Sequence, residues 1–364
     1  MPERIAIFGG AGNMGRRTEA EARKQGHQIQ IVDPRAEIQV DPEEAIAWAT
    51  VLYFSLFAKD LIPVLDQYGR SIRLDQIVLE NTSTKNPIIN TLKGLDEMGI
   101  SVCSVHPFAK HDQPPGGQKV VILPIGTNFN KAQIFAQEFY GNMGMIIIRH
   151  SIEDHDALMV PEQLPWHTAN RAHLLTFIRL GYRFSQLWNL APANTELGLA
   201  STARTGIQNP TISATIIFNY LKTAEGQAWK ATYPRSLEEI FKAAEKGEET
   251  LAALLAQTNE YLKEDGMDQQ MNEATTIILE SNANLRLHSL TVHSLDNKPG
   301  VLAAIATIFA ENGINLNAVG NRPPDGGVDI RFGIDKGTDE ASINQAVIAL
   351  RELGFEVIER HKEK

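Results

Sequence analysis

The sequence predicts an α/β fold: a doubly wound parallel sheet, then a helical segment, then a small βαββαβ unit. Three features of the 364-residue chain predict it. Short apolar runs alternate with helical patterns at first, long helical patterns with few strand signals follow, and strand patterns return near the C-terminus. We therefore expect three domains, at residues 1–150, 151–284 and 285–364.

The overall composition argues against several classes of function. A formal net charge of −10 argues against nucleic acid or an anionic membrane surface as the main partner. No stretch approaches the roughly 18 uninterrupted apolar residues of a membrane span. A strand pattern begins directly after Arg4 and leaves no room for a signal peptide. We therefore expect a soluble, cytoplasmic protein.

The glycine cluster near the N-terminus is the strongest motif. An apolar run at residues 5–8 leads into it, a helical pattern follows to Gln25, and a second apolar run at 29–32 ends on Asp33. Gly10, Gly12 and Gly15 fit the G-x-G-x-x-G spacing: the first permits the tight turn, the second the approach of phosphate, and the third close helix–strand packing. The motif predicts that a dinucleotide pyrophosphate binds at the following helix N-terminus, in a Rossmann-type domain.

Asp33 favours NAD as the cofactor. An acid at the end of the second strand can accept both ribose hydroxyls and would repel a 2′-phosphate. Arg35, two positions later, leaves NADP open. The residues expected to contact the cofactor are Gly10, Gly12, Asn13, Met14, Gly15, Asp33, Ser55, Leu56 and Ser83.

Further buried strands are predicted near residues 51–57, 76–79, 102–105, 120–123 and 145–148. Ligands of open α/β sheets bind beyond the carboxyl ends of the strands, and His106 follows one of them. Histidine has the right pKa to take a proton as hydride leaves, so His106 is the candidate base, although it could merely cap its strand. Ser83 and Lys85, on the preceding exit loop, could fix its tautomer or bind a carboxylate.

The helical segment supplies a candidate cation. Arg204 lies among small polar residues and could hold an anionic substrate, or it could be an ordinary surface arginine. The segment has more apolar helical surface than one bundle requires, so we expect a homodimer.

A metal site is not expected. His106, His111 and Asp112 lack helical ligand spacing or an H-x-E pattern. Cys103 is the only cysteine, so neither a disulfide nor a cysteine zinc site can form within the chain. We expect it to be a small buried hydrophobe rather than a reactive thiol.

Several motifs together resemble the prephenate dehydrogenase family over nearly all of the first 215 residues. They are GGAGNMGR, ENTSTK, VHPF, the pair His155 and Asp156, His167 twelve residues on, and Arg204 six residues before Pro210. In that family NAD takes hydride from C4 of prephenate, a base takes the hydroxyl proton, and loss of CO₂ yields 4-hydroxyphenylpyruvate.

The resemblance implies roles for individual residues. His106 would accept the hydroxyl proton, Ser83 would orient it, and Arg204 would hold a substrate carboxylate. Further substrate contacts are implied for His167, Lys85 and His155.

The chain departs from the family pattern in three places. Phe108, Ala109 and Lys110 stand where the family has a short apolar residue and glycine. Glu80 replaces an aspartate, and Gln163 stands where many relatives have histidine. Arogenate therefore stays open as the substrate.

Two other classes of protein are alternatives to a prephenate dehydrogenase. A β-hydroxyacid dehydrogenase would carry a lysine three residues before an asparagine, and no such pair occurs in residues 151–182. A non-catalytic regulator that binds NAD and an amino acid also stays open.

The last eighty or so residues resemble an ACT regulatory domain, through the stretch DNKPGVLAAIATIFAENGINL. The segment Asn321, Arg322 and Pro323 is similar to a motif of phenylalanine-binding ACT domains, which implies tyrosine or phenylalanine as an effector. The residues expected to bind it are Asn297, Pro299, Gly300, Val301, Leu302, Asn321 and Arg322.

Overall fold

The computed structural model describes residues 2–109, 114–267, 269, 271–276, 278, 288–295, 298–322, 327–335 and 337–362. By their contacts, these residues form two compact units. The first contains residues 1–182 and 201–235, and the second contains 183–200 and 236–364. The division into three domains, with boundaries near residues 150 and 284, stays a prediction.

The first unit is built on a seven-stranded sheet, which confirms the predicted α/β class. Its strands are β1 (Arg4–Phe8), β2 (Gln28–Val32), β3 (Val51–Phe54), β4 (Ile77–Glu80), β5 (Ser101–Pro107), β6 (Lys119–Pro124) and β7 (Ile146–Arg149). They lie in the order β2-β1-β3-β4-β5-β6-β7. All neighbours pair in parallel except β5 and β6, which are antiparallel. Only residues 108–118 join those two strands, which is shorter than a helical crossover between parallel strands requires.

Helices cover both faces of this sheet. They are α1 (Asn13–Lys24), α2 (Pro42–Trp48), α3 (Ala58–Tyr68), α4 (Ile89–Glu97) and α5 (Asn130–Asn142). Ala6 and Phe8 of β1 belong to one buried apolar cluster, and Ile5 and Ile7 to another. Because successive strand residues point to opposite faces, the sheet has a core on each side, as a doubly wound fold requires.

The next stretch of chain is helical, as predicted. Its helices are α6 (Ile152–Arg179), α7 (Phe184–Leu190), α8 (Ala193–Ile207), α9 (Pro210–Tyr220), α10 (Ala224–Lys246) and α11 (Glu248–Glu264). Ser151 caps α6 by accepting a hydrogen bond from the backbone N–H of Asp154 at 3.2 Å. Val160 and Leu164 of α6 pack against Ile216 and Tyr220 of α9, which fixes these two helices together. None of the helices in the described part of the chain is long and apolar enough to cross a membrane.

The C-terminal residues form the predicted ferredoxin-like βαββαβ arrangement. Its elements are β8 (His288–Ser294), α12 (Val301–Glu311), β9 (Leu316–Arg322), β10 (Val328–Ile334), α13 (Glu340–Glu352) and β11 (Glu356–Lys362). The sheet is antiparallel in the order β11-β8-β10-β9. Gly300, with φ +96°, precedes α12 in a backbone conformation that glycine adopts readily. Leu290, Ile305, Phe332 and Ile343 are among the buried side chains that hold both helices on one face.

Candidate active site

The turn after β1 is made by Gly9, and the role predicted for Gly10 is corrected accordingly. Gly9 has φ +80°, the left-handed conformation that the tight turn requires. A Cβ on Gly9 would lie 2.3 Å from the carbonyl oxygen of Ser55, so Ser55 and Leu56 lie directly against the turn. Gly10 instead makes room for the side chain of Ile31, which a Cβ would approach to 2.6 Å.

The other two motif glycines keep the helix start open. A Cβ on Gly15 would lie 2.3 Å from the carbonyl oxygen of Gly9, so only glycine lets α1 begin this close to β1. Gly12 is the N-cap of α1, and no side chain caps the helix there. The first-turn amides, including those of Asn13 and Met14, have no intrahelical acceptors. This backbone cradle and its partial positive charge fit a dinucleotide pyrophosphate.

Asp33 is buried and engaged by Arg35. Its Oδ1 accepts hydrogen bonds from the backbone N and the Nε of Arg35 at 2.9 and 3.0 Å. Its Oδ2 accepts from Nη2 of Arg35 at 2.9 Å and from the backbone N of Ala11 at 3.2 Å. Burial raises the pKa of Asp33, but these hydrogen bonds outweigh it and lower the pKa overall. The carboxylate is therefore ionised at neutral pH, beside the glycine turn.

Lys85, in the loop after β4, forms a buried ion pair with Glu80 at the end of β4. Nζ of Lys85 donates to Oε1 of Glu80 at 2.9 Å, to the carbonyl oxygen of Val105 at 2.9 Å, and to that of Thr82. Both charged side chains have no exposed surface. Burial lowers the pKa of Lys85, and the carboxylate of Glu80 opposes this. All three N–H donors of Lys85 are used within the protein, which argues against the predicted contact with substrate.

Glu80 is held from several sides. Its Oε2 accepts from the backbone N and the Oγ1 of Thr82 at 2.7 and 2.6 Å, and its Oε1 also accepts from Oγ of Ser104. A buried charge is tolerable when it is paired and hydrogen-bonded in this way. The network ties the loop after β4 to β5, the strand that carries His106.

A chain of hydrogen bonds runs from His106 to Asp156. Nδ1 of His106 lies 3.0 Å from Nε2 of His155, and Nδ1 of His155 lies 2.8 Å from Oδ1 of Asp156. The carboxylate of Asp156 also accepts from the backbone N of Lys85 at 2.9 and 3.1 Å and from that of Asn86 at 2.7 Å. His106 and His155 are 5% and 1% exposed. Strand β5, the loop after β4 and helix α6 thus meet at one point.

The surroundings keep both imidazoles neutral at neutral pH. Burial lowers the pKa of His106 well below 6.5, and the positive charge of Lys85 lowers it further. Burial also lowers the pKa of His155, although Asp156 opposes this. Across the described residues, no protein group hydrogen-bonds to Nε2 of His106, and the ring of Phe108 meets this imidazole edge-on at 4.8 Å. His106 therefore offers one nitrogen for proton transfer.

His155 differs from its predicted role. Both of its ring nitrogens are engaged, one by His106 and the other by Asp156, so neither is available to a substrate. The sequence signal for this arrangement is the adjacent pair His155 and Asp156. Asp156 was not predicted as a site residue.

Ser83 lies on the exposed part of the loop after β4. Its carbonyl oxygen accepts from the hydroxyl of Tyr220 at 3.5 Å, and Oγ1 of the neighbouring Thr84 accepts from Nδ2 of Asn219 at 3.1 Å. Helix α9 thus holds this loop in place. The contact of His106 that bears on its tautomer is with His155, and the roles predicted for Ser83 stay predictions.

A second polar cluster lies further along α6. Nδ1 of His167 lies 3.1 Å from Oγ of Ser213. Arg171, one turn beyond His167, makes long hydrogen bonds to the carbonyl oxygens of Gly206 and Gln208 at 3.3 and 3.4 Å, and to Oγ of Ser213 at 3.4 Å. Sequence reasoning missed Arg171, although its spacing of four from His167 places both on one helix face.

Arg204 lies on α8, and its side chain is exposed. It is two residues from Gly206, whose carbonyl oxygen accepts from Arg171. Two arginines of the first unit are therefore candidates to bind an anion, and the role predicted for Arg204 stays a prediction.

Four of the seven predicted effector residues, Pro299, Gly300, Val301 and Leu302, line a cavity in the second unit, and their role stays a prediction. The cavity has a volume of about 280 Å³. Its lining residues are Lys298, Pro299, Gly300, Val301, Leu302, Val319, Val328 and Ile330. Asn297 lies outside the described residues, as do the side chains of Asn321 and Arg322.

Neither a metal cluster nor a reactive thiol emerges from the described residues. Within them, no group of three histidine, cysteine or acidic side chains is arranged to bind a metal. His111 and Asp112 lie outside this part of the chain. Cys103 is buried, as predicted, and burial raises the pKa of its thiol to about 12.

The fold and the glycine turn define a class of protein: a Rossmann-type α/β unit whose chain continues into a ferredoxin-like domain. Residues 288–355 match the family model of the ACT domain, which confirms the prediction for that part of the chain. Comparison with the curated proteins found no match.

Two solved structures relate the fold to particular enzymes. One is the prephenate dehydrogenase of Aquifex aeolicus in complex with hydroxyphenyl propionate and NAD⁺, with a TM-score of 0.58 and 16% identity, covering 74% of this chain and 98% of that one. The other is the arogenate dehydrogenase of Synechocystis, with a TM-score of 0.54 and 16% identity, covering 72% and 99%. At such identities the likeness shows a shared fold.

Proposed function

We propose that this protein is an NAD-dependent dehydrogenase that oxidises and decarboxylates prephenate to 4-hydroxyphenylpyruvate. The observation that carries the proposal is the state of His106. It is a buried imidazole at the carboxyl end of β5, burial lowers its pKa well below 6.5, and no described residue hydrogen-bonds to its Nε2. A hydroxyl that loses hydride from its carbon needs such a base. The shared fold with the Aquifex and Synechocystis enzymes supports the same class of reaction.

The glycine turn is proposed to bind the cofactor. The amides of the first turn of α1 would hold the pyrophosphate, and Asp33 would take the ribose hydroxyls. Bound NAD would supply the hydride acceptor at C4 of the substrate. Arg35 is 69% exposed in its side chain and lies against Asp33, so NADP is the alternative cofactor to be compared.

His106 and the arginines are proposed to have different roles toward the substrate. His106 takes the hydroxyl proton on Nε2, and Ser83, on the neighbouring exposed loop, orients the hydroxyl. Arg204 holds a substrate carboxylate, and His167 lines the same pocket. Arg171 is the second candidate for the carboxylate, because the residue is half-buried and its guanidinium makes only long hydrogen bonds.

Arogenate is the second candidate substrate. It carries an amino group where prephenate has the side-chain keto group, and the Synechocystis enzyme of the same fold is an arogenate dehydrogenase. The chain has Gln163 near the loop after β4, where its amide oxygen accepts from the hydroxyl of Tyr220 at 3.3 Å. An amide there can accept a hydrogen bond from an ammonium group.

The ACT domain is proposed to bind tyrosine or phenylalanine as an effector. Its cavity of about 280 Å³ is mostly apolar, and Pro299 and Gly300 form the turn at its edge. A small amphipathic ligand suits a cavity of this kind.

A homodimer is also proposed, formed through the helical segment. Ile178, Leu180 and Phe218 of the first unit are 73%, 65% and 63% exposed. Exposed apolar side chains of this size support the proposal that the segment carries an interaction surface.

An assay of each substrate with each cofactor tests the function. We expect the absorbance of reduced cofactor to rise with prephenate and NAD, with 4-hydroxyphenylpyruvate as the product. Formation of tyrosine from arogenate would identify arogenate as the substrate. A faster rate with NADP than with NAD would identify NADP as the preferred cofactor. No reduction in any of the four mixtures would exclude the proposed function.

A further inference from the structure

The hydrogen bonds between Asp156, His155 and His106 have a direction. A carboxylate only accepts hydrogen bonds, so the nitrogen of His155 that faces Asp156 carries hydrogen. In a neutral imidazole the other nitrogen is then an acceptor. That nitrogen lies 3.0 Å from Nδ1 of His106, which must therefore be the donor.

We propose that His155 and Asp156 are positioning residues that hold His106 in its Nδ1–H tautomer and leave Nε2 as the basic nitrogen. The opposite tautomer would place two lone pairs against each other at 3.0 Å between the imidazoles. The inference concerns residues of α6 whose polar side-chain atoms are engaged by other protein groups. It rests on the proposed function only for its consequence in catalysis.

The carboxylate of Asp156, at the end of this chain of hydrogen bonds, cannot rotate freely. The backbone N–H groups of Lys85 and Asn86 donate to Asp156 at 2.7 to 3.1 Å, and Asp156 is 6% exposed. These same donors predict what an amide would do. In Asp156→Asn the amide oxygen would take the place of Oδ2, the oxygen that accepts from both Lys85 and Asn86, and the NH₂ would take the place of Oδ1, which faces His155. His155 would then carry hydrogen on Nε2 and donate to His106, which moves the hydrogen of His106 to Nε2.

The arrangement also suits the protonated state of the base. A proton that leaves the substrate hydroxyl binds Nε2 of His106, and the imidazolium still donates its Nδ1–H to Nε2 of His155. The negative charge of Asp156 lies one imidazole away and stabilises that cation. An orienting carboxylate behind a catalytic histidine acts in the same way in serine hydrolases.

Long-range ¹H–¹⁵N NMR of the full chain with labelled histidine tests the tautomers without substrate. His106→Asn and His155→Asn assign the two signals by their loss. We expect Nδ1–H for both residues in the wild type, and Nε2–H for both in Asp156→Asn. A wild-type His106 with hydrogen on Nε2, or an unchanged tautomer in Asp156→Asn, would overturn the proposal.

The second unit offers a matched control. Nδ1 of His293 lies 2.7 Å from Oδ1 of Asp329, another His–Asp pair. Asp329→Asn should alter the signal of His293 and leave those of His106 and His155 unchanged. His155→Gln is a second variant, because its amide can donate to Asp156 and accept from His106. It should keep His106 in the Nδ1–H form, and an Nε2–H signal there would count against the proposal.

Kinetics give the catalytic consequence. We expect Asp156→Asn to lower kcat on the order of a hundredfold or more, with little change in the KM for cofactor. His155→Gln should lower kcat less than Asp156→Asn does. Equal losses of kcat in the two variants would contradict a tautomer effect. If the wild type turns over neither prephenate nor arogenate, the proposed function fails while the NMR result still decides the tautomer.

Discussion

Nδ1 of His106 and Nε2 of His155 are 3.0 Å apart, which joins the end of a sheet strand to the first turn of a long helix. The two residues are 49 positions apart in the sequence. Their contact leaves His106 with one nitrogen for chemistry, and it makes the geometry of that nitrogen depend on helix α6.

The pH dependence of turnover should reflect the environment of His106. The base must be neutral to accept a proton. Burial lowers the pKa of His106 well below 6.5, and the nearby Lys85 and His155 lower it further. The acids nearby are Asp156 and Glu80, which act in the opposite direction on the pKa of His155. Protonation then begins only below 6.5, so kcat/KM should stay constant as the pH falls through that value and decline at lower pH. Profiles measured in several buffers test this. An acid limb at or above 6.5 would contradict the assignment of His106 as a depressed base.

Substitutions of Arg204 and Arg171 should differ in their effect on the KM for prephenate. If Arg204 holds a substrate carboxylate, Arg204→Ala should raise the KM for prephenate about tenfold or more and leave that for NAD nearly unchanged. Arg171→Ala is the matched variant, since Arg171 donates to the carbonyl oxygen of Gly206, two residues after Arg204, and already has protein partners. A larger rise in the KM for prephenate with Arg171→Ala would move the anion site to α6. Equal effects of Arg204→Ala on substrate and cofactor would refute the carboxylate role.

Removing the buried cation should destabilise the first unit. Lys85→Met would leave Glu80 buried without its charge partner, which typically costs about 3–5 kcal/mol in the free energy of unfolding. Lys93→Met is the control, because the ion pair of Lys93 with Glu153 is exposed and should contribute less than about 1 kcal/mol. Urea titration measures both. Equal small losses would mean that the buried pair adds no more than a surface pair.

The ACT cavity should control the response to an effector. Val319 lines the cavity and is 49% exposed, so Val319→Trp should fill the space without unfolding the sheet. We expect this variant to lose binding of tyrosine or phenylalanine while its basal rate is unchanged. Ile358→Trp, at a residue that is 47% exposed on β11 and outside the cavity lining, is the control. Calorimetry measures the binding, and undiminished binding by Val319→Trp would move the effector site elsewhere.

Much of the fold could be predicted from local patterns. The apolar runs and the glycine turn predicted the parallel strands β1 to β5, and the spacing near the C-terminus predicted the ferredoxin-like domain. The antiparallel pairing of β5 with β6 was missed, because it depends on the short connection at residues 108–118 rather than on the pattern of either strand. The exchange of roles between Gly9 and Gly10 was missed because adjacent glycines look alike in a sequence.

The candidate site was predictable in its location and less so in its roles. His106 follows a strand end, which local patterns can place. The contacts of Asp156 with Lys85 and Asn86 span about 70 residues, and no local pattern encodes them. Lys85 is a loop residue by sequence, and only the fold buries it against Glu80 with every donor used.

The most direct test of the account is the turnover of His106→Asn. Asparagine keeps a polar group at the end of β5 but cannot accept the substrate proton at neutral pH. We expect kcat with prephenate and NAD to fall on the order of a hundredfold or more, while calorimetry shows NAD binding nearly unchanged. Full turnover by this variant would contradict the central claim that His106 is the base.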